Sequence, residues 1–135
     1  MTFDKFTIKA QGAIQEAVNL VQARGQQAIE PEHLLAGILK VGENVTNFLF
    51  QKLGVNSRQI EQILESQIAS LPKVQGGEPY LSRESNEVLT RAQDYASKGG
   101  DEFVSLEPML LALLTVKSTA SRILKDAGIT EKELA

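Results

Sequence analysis

The sequence predicts an all-α fold, with two pseudo-symmetric repeats of about four helices each packed as one globular bundle. Three observations lead there. Apolar residues recur three or four positions apart along most of the chain, the period of one helix face. No segment alternates apolar and polar residues over several positions, so strands are not expected. Shifted by 75 residues, the second half of the chain reproduces the helix starts and apolar positions of the first.

The first helix opens at Thr7, whose hydroxyl can accept a free backbone N–H of the first turn. Its buried face is Ala10, Ala13/Ile14, Ala17/Val18 and Val21, and Arg24-Gly25 ends it. Ile29-Glu30-Pro31-Glu32 starts a second helix, because Pro31 lacks an N–H that the first turn would leave unpaired. Leu34, Leu35, Ile38 and Leu39 make it nearly all apolar, a central helix. Val45, Phe48, Leu49 and Leu53 form the apolar stripe of a third, stopped by Gly54. Asn56 with Gln59 has the spacing of a capping box for a fourth, through Ile60, Ile63, Leu64 and Ile68.

Repeat one is thus 3–70, and a linker at 71–80 carries Pro72, Pro79 and the Gly76-Gly77 pair. Repeat two is 81–135. At the shift of 75, Thr7 falls on Ser82, Ile14 on Leu89, Ala17 on Ala92, Ile29 on Val104, Glu32 on Glu107 and Leu35 on Leu110. After a one-residue slip, Gly54 falls on Gly128 and Val55 on Ile129. Thr130-Glu131-Lys132-Glu133 is a capping box for a last helix cut short at Ala135, as in a fragment of a longer protein.

Composition excludes most chemistry. With 42% apolar residues, the 135-residue chain can bury a core as one domain. The net charge of 14 − 17 = −3 argues against a nucleic-acid or anionic-membrane partner. Having no cysteine, it has no disulfide, thiolate metal site or cysteine nucleophile. His33 stands alone, and reads as a local packing or hydrogen-bonding residue on the first turn of the central helix rather than a base, since a base needs a nucleophile in reach. Gly37 to Gly42 has the glycine spacing of a phosphate loop, but Glu43-Asn44 follows where Lys and Ser or Thr are required. Met1 to Lys9 lacks the apolar stretch of a secretory leader, and no apolar run approaches the ~18 residues of a membrane span. The expectation is a soluble, cytoplasmic module that is not an enzyme.

Lys5-Phe6-Thr7 with Ala13-Ile14-Gln15-Glu16-Ala17 resembles the start of Clp-type AAA+ chaperones. The two central-helix starts, Glu32-His33-Leu34-Leu35 and Glu107-Pro108-Met109-Leu110, resemble the Clp N-terminal repeat pair. Leu71-Pro72-Lys73-Val74, Gly76-Gly77, Tyr80-Leu81-Ser82 and Gly100-Asp101-Glu102-Phe103-Val104-Ser105 are similar to the ClpB branch of that family. The resemblance covers essentially the whole chain. It implies a mobile helical module of a hexameric, ATP-driven disaggregase that threads unfolded or aggregated proteins through its pore alongside the DnaK system. It implies no cofactor in this chain, ATP and Mg belonging to AAA+ modules outside it. A sister reading is the adaptor-docking domain of a Clp chaperone that feeds a protease.

The same resemblance puts functional positions at Thr7, Asp101 and Glu107. Two readings stand for them. They contact substrate, or they cap and shape local structure: Thr7 as an N-cap, Glu107 on a helix dipole, Asp101 in a turn. The family's apolar groove would fall on Arg91, Tyr95 and Pro108, with Val88 and Met109 beside them. Arg91 departs from the usual aliphatic residue, although its stem can cover apolar surface. Val88, Leu89 and Met109 fit the buried stripe as well as a groove; Tyr95 and Met109 are the better groove candidates.

Overall fold

The computed structural model of the chain describes residues 3–134. Met1 and Thr2, in the segment read for a leader, and Ala135, at the close of repeat two, lie outside it. The elements run α1 (Ile8–Ala23), β1 (Ala28–Ile29), α2 (Pro31–Val41), α3 (Glu43–Leu53), α4 (Ser57–Ala69), β2 (Tyr80–Leu81), α5 (Arg83–Lys98), α6 (Leu106–Thr115), α7 (Thr119–Asp126) and α8 (Glu131–Leu134). The fold is all-α apart from the two short strands.

The first helices of the two repeats start and stop by the same chemistry, and the third helices stop by it. Thr7 and Ser82 cap α1 and α5, each hydroxyl accepting the backbone N–H three residues on, Ala10 and Ser85, at 3.1 Å. Gly25 and Gly100 end the same helices at φ 66° and 82°, and Gly54 and Gly128 end α3 and α7 at φ 73° and 98°. These left-handed conformations strain any residue with a Cβ, which is why glycine holds all four. At the far end, the Thr130 hydroxyl accepts the Glu133 N–H at 3.4 Å and donates to Glu133 Oε1 at 2.8 Å. The α8 helix it opens spans four residues.

The repeats are interlocked rather than merely packed. β1 pairs in parallel with β2, Ala28 against Tyr80 and Ile29 against Leu81, and Phe6 bridges Val104. At the shift of 75, Phe6 corresponds to Leu81 and Ile29 to Val104, so this is one contact made twice. The entry segment of each repeat pairs with the residues just before the central helix of the other. Ser82 N–H donates to Ile29 O at 3.1 Å, and Thr7 N–H donates to Val104 O at 2.9 Å. The expected absence of strands thus gives way to two-residue strands, too short to alternate and paired across some 50 residues of chain. The segment expected to link the repeats runs into β2 at Tyr80, and Val74 N–H donates to Gly25 O at 2.9 Å on the way.

The core lies around α2 and α6, whose Leu34, Leu35, Ile38, Met109, Leu110, Leu113 and Leu114 are buried. Against α2, α1 presents Ala10, Ala13 and Ala17, all buried. The helices approach so closely there that a Cβ on Gly37 would overlap the Ala13 carbonyl oxygen. In α3 Thr46 and Phe50 are fully buried, Leu49 and Leu53 of the expected stripe are half-buried against the core, and Phe48 turns outward, 66% exposed. The helix carries apolar residues on several sides, and packing alone selected which turn inward.

Candidate functional site

The two exchanged contacts create two junctions with the same backbone and different surfaces. At the repeat-two junction, Thr7 is pinned to Val104 by its backbone and spends its hydroxyl on the α1 cap. Asp101 follows Gly100, its N–H donating to Ala96 O at 2.9 Å, and Glu107 sits in the first turn of α6. There a carboxylate complements the helix dipole. Both Asp101 and Glu107 are exposed, three residues either side of Val104, so the Thr7–Val104 hydrogen bond brings the three implied positions into one neighbourhood.

Two further residues belong to this neighbourhood. Ile8, next to Thr7, is 89% exposed, and Phe103, next to Val104, is 47% exposed. Both are large apolar side chains left in water beside a backbone junction. Asp4, Asp101, Glu102 and Glu107 give the surroundings an acidic bias, against Lys5 and Lys9. Sequence reasoning missed Ile8 and Phe103. The duplication carried a signal for the latter: Phe103 corresponds to Ala28, so an aromatic stands where the other repeat needs only a methyl.

The repeat-one junction is sealed. The counterparts of Thr7, Asp101 and Glu107 are Ser82, Gln26 and Glu32, and all three are buried. Ser85 Oγ donates to Ile29 O at 2.6 Å. His33, the counterpart of Pro108, accepts the Glu30 N–H at Nδ1 (2.9 Å), so Nε2 carries the proton and donates to Gln26 Oε1 (2.8 Å). The Gln26 amide donates in turn to Ile68 O at 2.7 Å, closing the end of α4. Burial, with Arg24 nearby, holds the His33 pKa down to about 4, so the ring is neutral. Burial pushes the Glu32 carboxyl above its usual value, and the neighbouring Glu30 and Glu84 add to it, while its backbone hydrogen bond and Arg122 pull the other way.

The implied groove residues divide between surface and core. Val88, Leu89 and Met109 are buried. Arg91, Tyr95 and Pro108 are half-buried at the surface. Tyr95 Oη lies 2.9 Å from Thr115 Oγ1, and Arg91 donates to Thr115 O at 3.4 Å, so these two side chains are tied down across α5 and α6. Arg91 also faces Glu87 at 3.8 Å.

Among the described residues no group of three His, Cys, Asp or Glu is placed to hold a metal ion, and no helix is long and apolar enough to cross a membrane. What the exposed junction can do is bind: it offers apolar side chains within an acidic surround.

The model of the Clp repeat (R) N-terminal domain matches residues 5–127. The chain is 72% identical over 134 residues to chaperone protein ClpB of Bacteroides thetaiotaomicron, and 50% identical to that of Porphyromonas gingivalis. In each case the match covers 99% of this chain and 16% of the relative, so the chain spans about one-sixth of their length. The Hsp104 N-terminal domain from Candida albicans superposes with a TM-score of 0.85 at 23% identity, covering 97% of this chain and 87% of that one. The N-terminal domain of the E. coli ClpV1 ATPase gives 0.85 at 24% identity, covering 98% and 82%. With repeat pair, interlocked fold and sequence in agreement, the chain belongs to the Clp repeat N-terminal domain family, in its ClpB branch.

Proposed function

We propose that this domain is the substrate-engaging module of an ATP-dependent disaggregase. It recognises exposed apolar segments of unfolded or aggregated proteins in the cytoplasm and passes them to the pore of AAA+ rings that carry the ATP and Mg. The hexamer would supply avidity, with the DnaK system acting through other domains. The observation that carries this reading is the apolar pair Ile8 and Phe103 beside Thr7, Asp101 and Glu107 at the exposed junction. A small apolar surface binding a flexible chain gives weak affinity, because ordering the chain opposes the contact.

The test is an NMR titration of the labelled chain with a permanently unfolded, apolar-rich polypeptide at two salt concentrations. Salt-tolerant shifts centred on Thr7, Ile8, Asp101, Phe103 and Glu107, weakened in Ile8→Ser, are expected. An absence of shifts at millimolar polypeptide would overturn substrate engagement and leave adaptor docking as the role of the domain.

A further inference from the structure

The repeat-one counterpart of the groove discussed above differs from it in every wall. At the shift of 75, Tyr95, Leu111, Ala112, Arg91 and Thr115 correspond to Leu20, Ala36, Gly37, Glu16 and Lys40. In repeat two, the long side chains of Tyr95 and Arg91 reach across and bond to Thr115. In repeat one, Leu20 cannot form such a bond and Ala36 leaves the floor low, while Gly37 lies in the helix crossing against the Ala13 carbonyl. The links across are ion pairs, Lys40 with Glu16 at 3.1 Å and Arg24 with Glu65. Two cavities of ≈ 340 and ≈ 350 Å³ open here, between α2 and α4 and between α1 and α2. They share Ala36, Lys40 and Glu65, so they adjoin along α2 as the two parts of a shallow groove. Each lies within the ~300–1,000 Å³ typical of ligand sites.

Its charge says what fits. The floor is apolar, with Leu20, Ala36 and Gly37 joined by Leu64 and Ile68. The rim carries Glu16, Glu43, Glu61 and Glu65. Lys40 pairs with Glu16 and Arg24 with Glu65, and among the described residues Glu43 and Glu61 make no ion pair. We propose that this groove is a second polypeptide-binding site, taking an extended segment in which a Leu or Phe is flanked by Lys or Arg. The apolar side chain fills the floor, and the cations meet Glu43 and Glu61. The inference rests on the substrate-engaging role proposed above and places a basic-apolar specificity in repeat one.

The probe is a short unstructured peptide with Leu and Phe flanked by Lys, compared by NMR with the same peptide carrying Glu at every Lys. The Lys-flanked peptide is expected to shift the amides of Leu20, Ala36, Gly37 and Lys40, binding roughly tenfold more tightly than the Glu-flanked one. Ala36→Leu, which installs the repeat-two residue, should abolish those shifts; if it does not fold, Leu20→Tyr serves the same purpose. Ile8→Ser should leave them intact. Shifts confined to Ile8, Asp101 and Phe103 overturn the groove and leave the proposed function standing. Groove shifts of equal strength with both peptides overturn the charge-selected occupant. No shift anywhere, with these peptides or the unfolded polypeptide, overturns both proposals.

Discussion

The two junctions share a backbone and divide its uses. At the repeat-one junction Ser82, Gln26 and Glu32 are buried, and His33 and Gln26 relay a hydrogen bond to the end of α4. At the repeat-two junction Thr7, Asp101 and Glu107 occupy the same positions at the surface, with Ile8 and Phe103 in water. On the lateral faces, repeat one leaves cavities of ≈ 340 and ≈ 350 Å³ beside Leu20 and Ala36, whereas in repeat two Tyr95 and Arg91 bond across to Thr115, beside a cavity of ≈ 400 Å³ lined by Leu114, Thr115 and Ile129.

The largest effect expected from disturbing this asymmetry is at the helix crossing. Gly37→Ala places a Cβ on the Ala13 carbonyl oxygen, and backbone on both sides leaves little room to relax. Urea unfolding should show a loss of about 3 kcal/mol. The reciprocal change in repeat two, Ala112→Gly, should cost less, about 2 kcal/mol, from the helix propensity of glycine and the loss of a buried methyl.

Acid should act through the sealed junction. The His33 pKa of about 4 lies below the ordinary 6.5, so above pH 6.5 both folded and unfolded chains hold a neutral ring and stability is full. Between 6.5 and 4 only the unfolded chain takes the proton, and stability falls by about 3 kcal/mol in total. Glu32 has the opposite sign: its raised pKa means the charged carboxylate destabilises the fold at neutral pH, a cost relieved as the pH drops. Glu32→Gln should therefore stabilise at pH 7 and steepen the loss towards acid, measured as unfolding midpoint against pH. Glu107→Gln, at the exposed counterpart, should change stability by no more than about 0.5 kcal/mol.

A smaller contrast separates Gln26 from Asp101. Gln26→Ala orphans the buried His33 Nε2–H and takes one of its donors from the Ile68 carbonyl, which keeps the Leu71 N–H, and should cost about 2 kcal/mol by urea unfolding. Asp101→Ala should cost less than about 0.5 kcal/mol. On the proposed function, it should still weaken the polypeptide-induced shifts around Phe103. Equal losses of stability at both positions would mean that the junctions are not divided as described.

Much of this molecule was legible in local sequence. Helix starts at Thr7, Asn56 and Ser82, the ends at Gly25, Gly54 and Gly128, and the apolar faces of α1 and α2 follow from capping chemistry, left-handed backbone and a period of three to four residues. The duplication was legible too, because it is a property of the string itself. These features depend on neighbours within a few residues, which sequence displays directly. Tertiary structure alone decided that the entry segments exchange between repeats, since Phe6 and Val104 are far apart in sequence and a paired two-residue strand has no periodicity to reveal it. It alone turned Phe50 inward and Phe48 outward on a helix apolar on several sides. It alone made Gln26 and Asp101, equivalent by the internal repeat, a buried relay and an exposed carboxylate, because the end of α4 folds over Gln26 and meets it through Ile68 and Leu71.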